Sequence, residues 1–194
     1  MDLLFTVVFT TNLVAVTAVV FSILKPEKHI WPPPGNHPWE YLVIWVLDGV
    51  CSFGVPTVAF LDRGSLGFRG PATMVLGGSL VVSSLPLVIW AVRTLSISQS
   101  FGLKGELITD GPYSYSRNPQ YLGFTLLYGG IILLADSVKG LLVGAVFILF
   151  FLLAPLSEEP WLREQFGEEY DEYLSRIPRF IGWRTFRKPL SGES

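Results

Sequence analysis

The chain has 194 residues, 50% of them hydrophobic and only 15% charged, with a net charge of −2 and a mean hydropathy of +0.47. A soluble domain of this size carries about a quarter charged residues, so the deficit points to a bilayer, and no basic strip interleaved with aromatics points to nucleic acid. A single cysteine, Cys51, excludes an internal disulfide and a cysteine-based metal cluster, and His29 and His37 share one short segment with only Glu27 nearby, so no metal site is expected.

A helix that crosses ~30 Å of hydrocarbon at ~1.5 Å per residue needs roughly 20 apolar residues. Leu3 to Leu24 supplies 22 without a charge. Asp2 and the lack of a preceding Lys or Arg argue against a cleaved signal peptide there. "WPPPGNHPWE", Trp31 to Glu40, reads as a stiff interfacial connector. Tyr41 to Leu61 gives a second span of 21 residues with one charge, Asp48, which is costly unless it faces the bundle interior or water. Ala72 to Val92 gives a third, with a kink expected at Pro86.

The loop that follows ends in "GPYSYSRNPQYLGF", Gly111 to Phe124. Gly111-Pro112 marks a turn, and Asn118-Pro119 opens a fourth span that runs to Ala135. Tyr113, Tyr115 and Tyr121 have the composition of an interfacial aromatic belt, yet a belt does not require Arg117, Asn118 and Gly123 in that order. A fifth span, Gly140 to Ser157, is joined to the fourth by Asp136 to Lys139, which predicts a tight hairpin, and Gly140 with Gly144 predicts a close crossing within it.

From Ser157 the sequence turns amphipathic. Ser157 is expected to cap a new helix with Pro160 in its first turn. Leu162, Phe166, Tyr170, Tyr173, Leu174 and Ile177 recur at three- and four-residue steps, while Arg163, Glu164, Glu168, Asp171 and Glu172 fill the opposite face. Glu158 and Glu159 fall where the last span leaves the membrane; they serve either as helix-terminus electrostatics or as a receptor for a ligand's ammonium. Five spans put 11 of the 14 Lys and Arg on one side and Arg63, Arg69 and Lys139 on the other. Cytoplasmic loops collect Lys and Arg, so the amino-terminal end is expected outside and the carboxyl-terminal tail, with the loop before span four, in the cytoplasm.

The string Gly111 to Gly123 resembles the G-P-Y-x-x-x-R-(H/N)-P-x-Y-x-G signature of the isoprenylcysteine carboxyl methyltransferase and phospholipid methyltransferase superfamily. The tail is similar to that superfamily's second signature: E-E-x-x-L at Glu158 to Leu162, F-G-x-x-Y-x-x-Y at Phe166 to Tyr173, and R-x-P-R at Arg176 to Arg179. The resemblance covers roughly Ser98 to Ile181; the first three spans match only as hydrophobic helices. It implies an all-α polytopic enzyme with about five transmembrane helices, one domain over residues 1–194. Three spans would fill residues 1–92, a catalytic core 93–181 and a tail 182–194.

It further implies S-adenosylmethionine as methyl donor and S-adenosylhomocysteine as product, with a lipophilic acceptor entering from the bilayer. Carried over by position, Gln99 and then Lys104, Gly105, Glu106, Leu107 and Ile108 would line the adenosyl pocket. Tyr113, Asn118, Pro119, Gln120 and Tyr121 would wall the ribose and methionine moieties, and one or both of Glu158 and Glu159 would take the ammonium. Two departures stand out. Asn118 occupies a position where His is common, and Asn is neither a cation nor an effective base. Ala154 falls near the position where eukaryotic relatives place an arginine, so Arg117 or Arg163 would have to grip an acceptor carboxylate.

Methyl transfer to a carboxylate needs no base, since the group is ionised at neutral pH, and so no catalytic residue beyond positioning and desolvation is implied. The expected reaction is O-methylation of a prenylated cysteine or a similar lipophilic acid. The alternatives are an amine N-methyltransferase acting on phospholipids, which needs a base nearby; a sterol-type membrane reductase, whose tail would read C-x-x-K-Y-G where this chain has L-R-E-Q-F-G; and a non-catalytic membrane scaffold.

Overall fold

The computed structural model describes residues 1–33, 38–95 and 106–186. Among them there are only helices: α1 (Asp2–Leu24), α2 (Pro38–Leu61), α3 (Pro71–Leu95), α4 (Pro119–Ala135), α5 (Val138–Phe166) and α6 (Glu168–Arg176), with short 3-10 turns between some of them. α1, α2, α3 and α5 are long and apolar enough to cross a bilayer; α4 is apolar but has 17 residues, about 26 Å of helix. The protein is thus an all-helical multi-pass membrane protein. Large apolar side chains such as Leu3, Phe53, Val75 and Val82 lie exposed along its sides, as a lipid-facing surface requires. Along α1, threonine hydroxyls that would otherwise face hydrocarbon bond back to carbonyls four residues earlier, Thr10 to Thr6 at 2.7 Å and Thr11 to Val7 at 2.8 Å.

The helices alternate in direction, and two ends can be told apart. At one end the α2–α3 and α4–α5 turns are tied together. Asp136, in the left-handed region at φ 53°, accepts from the backbone N–H groups of Phe68 (3.0 Å) and Arg69 (3.1 Å). Ser137 caps α5 by accepting from Gly140 N at 2.8 Å and donates to Asp62 Oδ2 at 2.7 Å. Hydroxyl donation from Ser65 and Ser137 holds the Asp62 carboxyl below the ordinary aspartate range. Lys139 Nζ reaches Asp2 Oδ1 at 2.6 Å, which puts the start of α1 at this end too.

Two close crossings set the bundle's shape. A Cβ on Gly130 of α4 would lie 2.7 Å from the Gly77 carbonyl oxygen of α3, so these backbones touch as only glycines allow. Within the α4–α5 hairpin, a Cβ on Gly144 would run into Ile132, as expected; Gly140 instead faces α2, where a Cβ added to it would lie 2.7 Å from the Ala59 Cβ. The core is an aromatic ladder on α5. Phe147 packs edge-on against Tyr128 at 4.8 Å, Phe151 stacks with Phe124 at 5.4 Å, and the Tyr128 hydroxyl donates to Ser52 O at 3.1 Å.

The amphipathic tail is organised differently from its sequence expectation. α5 does not stop at Ser157. It runs 29 residues, with Pro155 and Pro160 inside it, and the break comes at Gly167. The Ser157 hydroxyl donates backward to Ala154 O at 2.8 Å, so it is not available to cap a following turn. Gly167, at φ 55° and ψ −129°, takes a conformation that costs a side-chain-bearing residue dearly, and α6 starts directly after it.

Candidate functional site

At the other end of the bundle, the stretch before α4 opens with Gly111 at φ 57°, where a Cβ would also lie 3.1 Å from Thr94 Oγ1. This turn buries Pro112 and Tyr113. The residues after it are strapped to the chain's last described segment. Arg117 N donates to Pro178 O at 2.9 Å, Asn118 Nδ2 to Arg179 O at 3.0 Å, and Ser116 Oγ to the same carbonyl at 3.2 Å. From α6, the Tyr173 hydroxyl donates to Tyr113 O at 2.7 Å. The two sequence signatures are therefore hydrogen-bonded to each other. Asn118 helps hold that strap, while Pro119 starts α4 without an N–H to satisfy.

Because α5 is continuous, Glu158 and Glu159 point about 100° apart and meet different surroundings. Glu159 faces the strap. Arg179 meets it as a fork, Nε to Oε1 at 2.8 Å and Nη2 to Oε2 at 3.0 Å, and Arg117 Nη1 adds a third contact at 2.9 Å. Glu158 faces inward. The indole Nε1 of Trp31 donates to its Oε1 at 2.8 Å, and the Tyr121 hydroxyl donates to the same oxygen. Among the described residues, no Lys or Arg lies within ion-pair distance of it. Trp31 is placed by Ser22, a buried hydroxyl near the end of α1 that accepts from Ile30 N (2.8 Å) and Trp31 N (3.0 Å). The indole also packs edge-on against Phe150 at 5.4 Å.

Glu158 opens on a cavity of about 430 Å³, within the size range of small-molecule and cofactor sites. Its wall is mostly apolar and aromatic, with a few polar groups. Two of these are buried donors without a hydrogen-bond partner among the described residues, Arg117 Nε and Gln165 Nε2. Leaving such a donor unsatisfied costs about 1–3 kcal/mol, and a bound acceptor would relieve it. Tyr113, Tyr170 and Tyr173 also line the wall. Burial pushes their phenols up, Tyr170 to about 12, so each stays a neutral hydrogen-bonding group.

Of the residues singled out from sequence, Glu106, Leu107, Ile108, Tyr113, Arg117, Asn118, Gln120, Tyr121 and Glu158 line this cavity. Pro119 is buried behind the wall, and Glu159 is held by its two arginines. Arg163 is exposed and paired with Asp171 at 2.9 Å, on the outer face of the tail. Gln99, Lys104 and Gly105 lie outside the described residues.

The wall also includes Asp48, which the sequence allowed as either a structural hydrogen-bonding group or part of a substrate channel, and Trp31, Trp45, Phe124, Phe151, Trp161 and Gln165, none of which sequence reasoning placed there. Phe151, Trp161 and Gln165 stand seven residues before, three after and seven after Glu158. On a continuous helix that spacing is one face, so they were findable once α5 was known not to end at Ser157.

The sequence profile of the phospholipid methyltransferase family matches residues 72–169, which spans α3 through the start of α6. The chain is 30% identical over 137 residues to phosphatidylethanolamine N-methyltransferase B of Dictyostelium discoideum, covering 66% of this chain and 68% of that protein. It is 33% identical over 107 residues to phosphatidyl-N-methylethanolamine N-methyltransferase of Saccharomyces cerevisiae, covering 55% and 51%. A further match, 38% identical over 76 residues, is the protein-S-isoprenylcysteine O-methyltransferase of Schizosaccharomyces pombe, covering 39% of this chain and 32% of that protein. The matched stretch is thus about a third of the isoprenylcysteine enzyme's length. No solved structure is a significant match. The chain belongs to the phospholipid methyltransferase family.

Proposed function

We propose that this member of the phospholipid methyltransferase family is an S-adenosylmethionine-dependent methyltransferase acting on a lipid-borne acceptor. The observation that carries the proposal is the unequal fate of the two glutamates: Glu159 is neutralised by Arg117 and Arg179, while Glu158 faces the cavity with no cation beside it among the described residues. The cavity's polar groups fit the amino-acid end of the cofactor. Glu158 would take its ammonium, and the orphan donors Arg117 Nε and Gln165 Nε2 its carboxylate. Leu107, Ile108, Tyr113, Asn118, Gln120 and Tyr121 would wall the adenosyl and ribose portions, with Gln99, Lys104, Gly105, Glu106 and Pro119 completing that side as the resemblance implies.

S-adenosylmethionine, once bound, supplies a methyl group already activated on a sulfonium. The chain's part is to orient and to keep water out. Trp31 and Tyr121 fix the Glu158 carboxylate, and the strap between residues 113–118 and 173–179 holds Arg117 in place. The relatives' names give two acceptors, a phospholipid amine and the carboxylate of an isoprenylated cysteine. The helix-lined cavity suits either acyl or prenyl chains arriving sideways. Among the described residues, Lys25, Lys28, Arg93, Arg117, Arg163, Arg176 and Arg179 stand at this end of the bundle and Arg63, Arg69 and Lys139 at the other, which supports a cytoplasmic location for the site.

Calorimetric titration of S-adenosylmethionine and S-adenosylhomocysteine into detergent-purified protein tests the proposal. Both bind the wild type, and Glu158→Gln weakens binding by about 10- to 100-fold, the worth of a charge-assisted contact. A folded wild type that binds neither compound, or undiminished affinity in Glu158→Gln, overturns it.

A further inference from the structure

Asp48 is a charge in this cavity that the cofactor assignment leaves unused. It stands in the middle of α2, outside the stretch that the family profile matches, and lines the wall beside Trp45. The Ser52 hydroxyl one turn on is 3.4 Å from its Oδ2, at the long limit of a hydrogen bond. A carboxylate inside a span is costly, and it persists where it faces a cavity or a ligand.

Aromatic rings line the same cavity, among them Trp45, Tyr121, Phe124, Phe150 and Phe151. Aromatic faces attract ammonium groups, methylated ones included. Arg117 is the guanidinium of this wall among the described residues; its Nη1 is engaged by Glu159, and its Nε faces the cofactor's carboxylate in the assignment above. An anionic acceptor would therefore find a like charge at Asp48 and no described cation to offset it. A cationic acceptor finds a carboxylate in an aromatic enclosure.

Resting on the methyltransferase reading, we infer that Asp48 is a specificity-determining residue that selects a lipid bearing an amine over a lipid bearing a carboxylate. The amine enters as its ammonium and gives one proton to the Asp48 carboxylate, which later passes it to water. The freed nitrogen lone pair forms the new C–N bond as the methyl–sulfur bond breaks, and that bond's electron pair stays on sulfur. The product is again a cation, one methyl larger, which the same aromatic wall accepts; a monomethyl amine is thus also a substrate.

The test uses the full chain loaded with S-adenosylhomocysteine. Short-chain phosphatidyl-N-methylethanolamine and N-acetyl-S-farnesylcysteine are titrated calorimetrically into wild type, Asp48→Asn and Asp48→Glu, and methyl transfer from S-adenosylmethionine to each probe is followed in parallel. The wild type should bind and methylate the amine probe in preference. Asp48→Asn should weaken amine binding about tenfold or more, leave farnesylcysteine binding equal or tighter, and keep cofactor affinity within about twofold, while Asp48→Glu recovers part of the loss. Parallel weakening of both probes, as a packing defect would give, overturns the assignment. So does unchanged amine binding in Asp48→Asn, or a wild type that prefers farnesylcysteine. A wild type that binds neither cofactor compound overturns the methyltransferase reading itself, and is seen before any acceptor is added.

Discussion

Arg179 closes on Glu159 as a two-pronged fork, with Nε and Nη2 on separate carboxylate oxygens at 2.8 and 3.0 Å. The contact joins the last described segment of the chain to the end of the longest helix, and Arg117 shares the same carboxylate. Removing the acid strands two guanidiniums; removing Arg179 strands neither. Glu159→Gln should thus destabilise more than Arg179→Gln. Arg179 is 36% exposed, so its loss is screened and should cost about 0.5–1 kcal/mol, whereas Glu159→Gln should cost about 1–3 kcal/mol. Thermal midpoints in one detergent check the order; a larger drop in Arg179→Gln would contradict it.

The α3–α4 crossing offers a comparison between adjacent glycines. A Cβ at Gly130 would sit 2.7 Å from a backbone oxygen and 2.8 Å from Val81, while one at Gly129 meets nothing within 4 Å. Gly130→Ala should therefore force the helices apart, at about 1–3 kcal/mol. Gly129→Ala, in the same helix, should be neutral or stabilising by up to about 1 kcal/mol through helix propensity. Equal effects of the two substitutions on the thermal midpoint would mean that the crossing is not close.

Alkaline pH should act through the buried phenols of the strap and cavity. Tyr113, Tyr170 and Tyr173 have folded-state pKa values raised above 10.0, chiefly by burial, with Tyr170 at about 12. A raised pKa contributes stability that is fully present below the unfolded value and is lost as pH rises through the folded one. Stability should hold to about pH 10 and fall progressively between there and about 12. Phenolate absorbance should show these three tyrosines, of seven in the chain, titrating late and together with unfolding. Free titration of all seven near pH 10, with the fold intact, would rule this out.

Much of this architecture is written in the sequence, because charge-free runs of about 20 residues have few other uses. The hairpin turn, the alternation of the ends and the placing of both signatures on one face follow from run lengths and charge; the hydrogen bonds that join the two signatures do not. The course of α5 did not. Ser157 and Pro160 are start signals by local chemistry, but the Ser157 hydroxyl bonds backward and the glycine at 167 takes the turn. Misplacing that boundary hid Gln165 and Trp161. Trp31 was hidden for another reason: its contact with Glu158 spans 127 residues and depends on Ser22 folding the connector back, which no local pattern encodes.

Gln165 gives the last prediction, because its roles in stability and in binding oppose each other. Its Nε2 is buried with no partner among the described residues, in the wall of a cavity that Glu158 also lines. In the free protein this donor is a liability, and replacing it by an apolar group of similar shape removes the cost. Gln165→Met should therefore keep the thermal midpoint or raise it, by up to about 2–4 °C per kcal/mol recovered. If the donor is kept for the cofactor's carboxylate, the same change should weaken S-adenosylmethionine by about 5- to 10-fold, the worth of one hydrogen bond. It should weaken S-adenosylhomocysteine equally, since the two share that carboxylate and differ only at sulfur. A stabilised variant with weaker affinity for both compounds supports the assignment. A destabilised variant with unchanged affinity would mean that Gln165 belongs to the packing of α5 against α6.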